Sequence, residues 1–252
     1  MFGVERYEKI LEMLKGDQAT SVKSLAKSLF VSEATVRRDL DLLEKNGLIR
    51  RIYGGAMLNR ANKDVPLYMR ESEQTEAKNV IGRKAAELVR ENDVILFDAS
   101  STAYSVIPFL TGFSNLLAIT SGLKTAMALG EKHIKTLVTG GTMIDNSYSF
   151  IGRHAESLIE NINADLLFFS SRGITQDGRL TDSSMEESQM RQLMFRHARR
   201  KVFLAASSKI GREYFYTLCT IDDVDDMISE TEIPPEWKRR MYKPGAAPER
   251  EV

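Results

Sequence analysis

Residues 20–57 read TSVKSLAKSLFVSEATVRRDLDLLEKNGLIRRIYGGAM: two short amphipathic helices, a two-residue turn between them and a basic hairpin after them. In the first helix Val22, Leu25, Ala26 and Leu29 share a face behind Thr20 or Ser21, both good caps. The second opens after the cap Ser32 and runs to Lys45, where Asn46 and Gly47 favour a left-handed stop. At about 100° per residue, Val36, Leu40 and Leu43 cluster on one side of it, with Ala34, Arg37, Arg38, Asp41 and Lys45 opposite. A preceding helix, Val4 to Lys15, turns Tyr7, Ile10, Leu11 and Leu14 inward. The Phe30-Val31 turn has helix-turn-helix spacing, which places the helix after it in a major groove. Ser32, Glu33, Thr35, Arg37 and Arg38 are then expected nearest bases and phosphates, with Ser21 at the start of the preceding helix. After Gly47, alternation with paired arginines and paired glycines predicts a two-stranded wing. Arg50 and Arg51 stand at its root, to hold a phosphate or enter a minor groove, and Tyr53, Gly54 and Gly55 lie further along it.

Working outward, the whole chain of 252 residues balances 35 Lys and Arg against 35 Asp and Glu, so any DNA-directed charge must be local. Between Thr35 and Arg60 six basic residues face three acidic ones, a net +3 in the segment where a DNA reader needs it. A plain three-helix bundle with a solvated charged face is the competing reading. The coincidence of the Ser cap, the basic face, the helix spacing and the basic Gly-Gly hairpin favours DNA. The hydrophobic fraction of 42% and charged fraction of 28% fit a globular chain and argue against disorder or a fibre. The one cysteine, Cys219, permits no internal disulfide and reads as a small core residue. The start MFGVERYEKI lacks the order of a secretory leader, and no apolar run is long enough to span a membrane. The expected compartment is therefore a reducing cytoplasm.

A polar stretch over residues 58–75 reads as a linker, the natural place for coupling between domains. It runs into a helix over Lys78 to Arg90 with Val80, Ile81, Ala85, Leu88 and Val89 on one face. Short apolar strands then alternate with helical patterns, which predicts βαβ units and a mostly parallel sheet. The strands are Val94–Phe97, Leu116–Ile119, Ile134–Val138, Asp165–Phe169, Val202–Ala205 and a short Met227-Ile228. Strand after strand ends in small or hydroxyl residues, where such a sheet places its ligand pocket. The turn Asp98-Ala99-Ser100-Ser101-Thr102 opens a helix, Ala103 to Leu110, and suits a phosphate, although Ser and Thr also serve as plain caps. The expected organisation is an all-α winged helix-turn-helix domain over 1–57, the linker, an α/β domain over 76–235 and a frayed tail over 236–252.

The residues resemble the DeoR family of bacterial transcription regulators. Arg6, Ile10, Leu14, Ser32, Thr35 and the run Val36-Arg37-Arg38-Asp39-Leu40 follow that family's helix-turn-helix signature in spacing and type. The wing Arg51-Ile52-Tyr53-Gly54-Gly55-Ala56 is similar to the family's hairpin, with Tyr53 where the family has His. The resemblance continues to about residue 230. It implies a winged-helix reader joined to a sensor domain of ribose-5-phosphate-isomerase-like type that binds a phosphorylated sugar and mediates oligomerisation as dimer or tetramer. Asp39, toward the buried side of its helix, either pairs with Arg6 and fixes the interhelical angle or stands in solvent.

In the sensor, the resemblance adds weight to Asp98, Ser100, Ser101 and Thr102 as effector contacts, with Ser100 where the family has Gly. It also implies roles for Thr120, Ser121 and Gly122, for the Gly140-Gly141 turn, for Asp182 and Glu186 in an acidic segment, Asp182 to Glu187, over the pocket, and for Lys209. On residue type alone Lys209 reads as a solvent lysine. Arg172 stands where the family has Asp, which reverses a charge beside the sugar and suggests a second anion contact, hence a more anionic ligand. A guanidinium cannot act as the carboxylate base of an enediol isomerase, so no isomerase turnover, no catalytic residue and no cofactor is expected. His133, His154 and His197 are scattered without partners at metal-ligand spacing. The reading is a DNA-binding regulator, a repressor of a carbohydrate-use operon whose partners are operator DNA, a phosphorylated sugar and itself. Its rivals are a sugar-phosphate isomerase with an accessory helical domain and an adaptor that no longer touches DNA.

Overall fold

The computed structural model describes residues 3–14, 19–45, 48–58, 67–72 and 74–241. The chain divides into two compact units between residues 73 and 74. The first holds α1 (Gly3–Met13), β1 (Thr20–Ser21), α2 (Val22–Leu29), α3 (Glu33–Lys45), β2 (Ile49–Ile52), β3 (Gly55–Leu58) and α4 (Leu67–Ser72). Its core is the stripe read from sequence: Ile10, Leu14, Val22, Leu25, Leu29, Val36, Leu40 and Leu43, closed by Ile49 and Ala56 of the wing. Ser21 caps α2 by accepting from the Ser24 amide at 3.1 Å, and Ser32 Oγ accepts from the Thr35 amide at 3.1 Å. Phe30 ends α2 in the left-handed region, φ 55°, and sends its ring into solvent. The wing is antiparallel, with Arg51 opposite Ala56, and β1 pairs with its far strand. A Cβ on Gly55 would collide with the Thr20 carbonyl, so glycine there lets β1 approach.

The second unit holds α5 (Thr75–Ala86), β4 (Val94–Phe97), α6 (Ser101–Tyr104), β5 (Leu117–Thr120), α7 (Leu123–Glu131), β6 (Lys135–Val138), β7 (Thr142–Ile144), β8 (Ser149–Ile151), α8 (Arg153–Ile159), β9 (Ala164–Phe169), β10 (Gly173–Ile174), β11 (Arg179–Asp182), α9 (Met185–Arg196), β12 (Ala198–Leu204), β13 (Tyr216–Thr220), β14 (Asp226–Ile228) and α10 (Pro235–Met241). Six strands form one parallel sheet in the order β14-β12-β9-β4-β5-β6. Apolar clusters cover both faces, one including Ile81 and Ala85 of α5, the other Met190 and Met194 of α9 and Trp237 of α10. The chain leaves β4 toward β5 and β6, then returns to β4's other side with β9. The strand order therefore reverses between β4 and β9, and ligands of such sheets bind at that crevice. A β7–β8 hairpin and a small β10-β11-β13 sheet flank it.

Several expectations are corrected. The helix expected over Ala103 to Leu110 stops at Tyr104 and resumes as a 3-10 turn over Ile107–Phe109, because Pro108 lacks the amide a continuing helix needs. Val80 lies off the buried stripe of α5, and α5 ends before Leu88 and Val89. The linker contains α4, whose Leu67 is buried. The tail begins as a helix: α10 buries Trp237 and Met241, and Arg240 pairs with Asp222. The Asn46-Gly47 stop, Arg60 and residues 242–252 lie outside the described residues.

Candidate DNA-reading face and sensor pocket

In the first unit, α3 turns Ser32, Glu33, Arg37 and Arg38 outward, with Thr35 half-buried. Glu33 and Arg37 pair at 3.2 Å one helical turn apart, both well exposed, an interaction that phosphate displaces at little cost. Asp39 is on the inner side and only 2% exposed, and its carboxylate takes Arg6 through two hydrogen bonds, from Nε at 2.5 Å and from Nη2 at 2.9 Å. That pair, which the sequence left open, ties α3 to α1. The hydrogen bond from Asp39 also holds the Arg6 guanidinium above its ordinary pKa. On the wing, Arg50 is exposed and Tyr53 stands fully in solvent at the tip beside Gly54, whose φ of +77° makes the turn. Gly55 is buried, so its part is steric. Arg51, expected at phosphate, faces α3 instead and reaches Asp41.

In the second unit, the loop after β4 and the loop after β9 meet. Asp98 is 1% exposed and accepts from the amides of Ser100 at 2.9 Å and Ser170 at 3.1 Å. Its charge is answered by Arg191 of α9, whose Nε donates to Asp98 at 2.9 Å and whose Nη1 donates to Asp182 at 2.8 Å. Burial opposes the guanidinium's charge, but the carboxylates of Asp182, Asp98 and Glu187 outweigh that and lift its pKa. Ser100, at φ −79°, sits comfortably where the family has Gly and spends its hydroxyl capping α6 at the Ala103 amide. Ser101 and Thr102 are buried beside it. Lys209 ends a 3-10 turn that Ser207 anchors on Glu230, and its ammonium donates to Ser170 Oγ at 2.6 Å and Thr102 Oγ1 at 3.2 Å. It is part-buried, not a solvent lysine. Desolvation first, then the charges of Lys78 and Arg172, lower its pKa to about 7.

A narrow cleft opens here between Asp98, Ala99, Ser121, the β8 residues Ser149, Phe150 and Ile151, and Glu187, Met190 and Arg191 of α9. Thr120 is buried and accepts from the Gly122 amide at 3.0 Å, and a Cβ on Gly122 would crowd Ala99, so glycine lets the β4 and β5 loops close up. Gly140 and Gly141 shape the turn after β6 and are not in the cleft's lining. Arg172, half-buried, follows Ser171 and bears on Lys209. Glu186 faces solvent, while its neighbour Glu187 lines the cleft; Ser184 caps α9 and sets that phase. Sequence reasoning took Glu187 only as the end of the acidic segment and missed Arg191 and Lys78 as parts of the site. Arg191 falls in a segment without apolar periodicity, and Lys78 reads as a surface helix residue until α5 is seen to bury it.

Among the described residues no helix is long and apolar enough to cross a membrane, and no cluster of His, Cys, Asp and Glu is arranged for a metal. Residues 6–62 match the DeoR-like helix-turn-helix domain and residues 73–231 the DeoR C terminal sensor domain. The HTH-type transcriptional regulator GolR of Listeria innocua is 36% identical over 96% of this chain and 95% of its own length. The lactose phosphotransferase system repressor of Staphylococcus epidermidis is 29% identical over 90% and 91% respectively. The solved structure of ribose 5-phosphate isomerase A from Neisseria gonorrhoeae is 18% identical over 55% of each chain, with a TM-score of 0.42.

Proposed function

Since this chain belongs to the DeoR family of transcription regulators, we propose that it is the repressor of a carbohydrate-use operon, controlled by a phosphorylated sugar. The observation that carries the effector half is Lys209, a part-buried ammonium held by two neutral hydroxyls at the sheet's switch point. In this reading the phosphoryl group sits at Thr102 and Lys209, Arg172 adds a second anion contact, and the sugar lies in the cleft against Ser121 and Glu187. The relative that is named a lactose phosphotransferase system repressor supports both the sign of regulation and the class of operon. Arg191, paired with both Asp98 and Asp182, holds the loops and neutralises those two carboxylates.

Binding to paired half-sites calls for at least a dimer. The edge strand β6 supplies a surface for a second copy, since Leu137 and Val138 are both more than a third exposed. The regulator acts where its operator lies, in the cytoplasm. A thermal-shift series of phosphorylated sugars tests the effector reading. A ligand at a hundred times its dissociation constant adds about 2.7 kcal/mol of stability, and Lys209→Met abolishes the shift. If no phosphorylated sugar stabilises the wild-type protein, the effector reading fails. The DNA half is tested with Arg37→Gln and Arg38→Gln, each lowering the slope of log affinity against log salt by about 1.

A further inference from the structure

The two adjacent wing arginines face opposite ways, as successive residues of a strand do. Arg50 is exposed, whereas Arg51 is turned onto α3, its side chain 25% exposed. Its backbone amide donates to Glu44 Oε1 at 2.9 Å and its Nη1 to Asp41 Oδ1 at 2.5 Å. Asp41 and Glu44 are three residues apart and so lie on one face of α3. The Arg51 Nε is buried and has no hydrogen-bond partner among the described residues, so the guanidinium is held on this side of the wing by burial and by Asp41. Asp41 is itself 70% exposed on the helix that enters the groove, where an unanswered carboxylate would repel phosphate.

We infer that Arg51 is a positioning residue of DNA recognition and not a DNA contact: with Asp41 and Glu44 it latches the wing to the carboxyl-terminal half of the recognition helix. The Arg6–Asp39 pair holds the middle of the same helix from its inner side. Two ion pairs from different elements thereby set the angle at which Thr35, Arg37 and Arg38 meet the duplex. Arg50 and Tyr53 remain the wing residues directed at DNA. A surface pair contributes little to stability, roughly 0–1 kcal/mol, so the effect of breaking it falls on recognition and not on folding.

The test uses the full chain and the duplex that the wild-type protein enriches from a randomised library, with calf-thymus DNA as the non-specific reference. Arg51→Met keeps the wild-type salt slope on both DNAs and the wild-type melting temperature, yet narrows the ratio of selected to non-specific affinity by about tenfold. Asp41→Asn reproduces that narrowing, and the double variant adds nothing to it; the ratio cancels the change of charge. Arg50→Gln lowers the slope by about 1. A fall in slope for Arg51→Met equal to that of Arg50→Gln, or an unchanged ratio, overturns the inference. A wild-type chain that enriches no duplex removes the DNA-binding premise and the inference with it.

Discussion

Asp39 shows how a single buried carboxylate can tie two helices together. It occupies the inner side of α3, where a carboxylate neither repels phosphate nor reaches a base, and it is almost wholly desolvated against Arg6. Replacing it by Asn leaves the guanidinium with a weaker, neutral partner. Asp39→Asn is expected to lower the stability of the amino-terminal unit by about 1–3 kcal/mol, read by denaturant unfolding. A change below about 0.5 kcal/mol, the scatter of ordinary surface substitutions, would mean that the pair is ornamental. Lys209 makes the second residue-scale prediction. Its pKa in the folded protein is lowered to about 7, and an anion bound beside it raises that value again. Binding above neutrality therefore takes up a proton, and affinity for a phosphorylated ligand falls as pH rises from about 7 to about 9, by at most roughly tenfold per unit. Calorimetry in buffers of different ionisation enthalpy reads the proton directly. An affinity flat across that range contradicts a Lys209–phosphate contact.

At the scale of elements, α10 is the clearest case of tertiary context overriding composition. Its seven residues are mostly polar or charged, yet Trp237 is 2% exposed and Met241 packs beside it. Trp237→Ala is expected to destabilise the carboxyl-terminal unit by about 3–5 kcal/mol, seen as a lowered melting temperature of that unit. Loss of less than 1 kcal/mol, about what a surface site costs, would return this segment to the tail it resembles. The α3 helix, by contrast, was legible almost residue by residue, because its cap and its apolar stripe are local signals. The small sheet of β10, β11 and β13 and the β7–β8 hairpin were not legible. Their strands are two to five residues long, too short for alternation to register, and their pairing is decided by distant partners.

At the scale of the whole molecule, the regulator has two ligands and must couple them. An effector that weakens operator affinity by some factor is itself bound more weakly, by the same factor, when the operator is present. Measuring both affinities in one titration series is expected to close that cycle. An effector that binds equally well with and without operator cannot be the signal. Self-association belongs to this scale too. Leu137→Glu with Val138→Glu places charge on the unpaired edge of β6 and is expected to shift the protein to monomer in sedimentation velocity, with the sensor's melting temperature retained. An unchanged oligomer would place the interface elsewhere.

By itself the amino-acid sequence determined the reader: caps, helical periodicity, the helix-turn-helix spacing, the basic hairpin and the family to which the chain belongs are written in short-range patterns. It also announced an alternating α/β domain whose strands end in hydroxyls. Only the tertiary structure decided which of those residues act together. Asp98 and Arg191 are 93 positions apart and meet because the strand order brings the ends of β4 and β9 together and lays α9 across them. Arg51, adjacent to the exposed Arg50, reaches back to Asp41 of α3, and Glu187 rather than Glu186 lines the cleft through the phase of one helix start. Local patterns specify elements because their signals are confined to a few turns of backbone. A site depends on which elements become neighbours, and that is settled by burying the whole core at once.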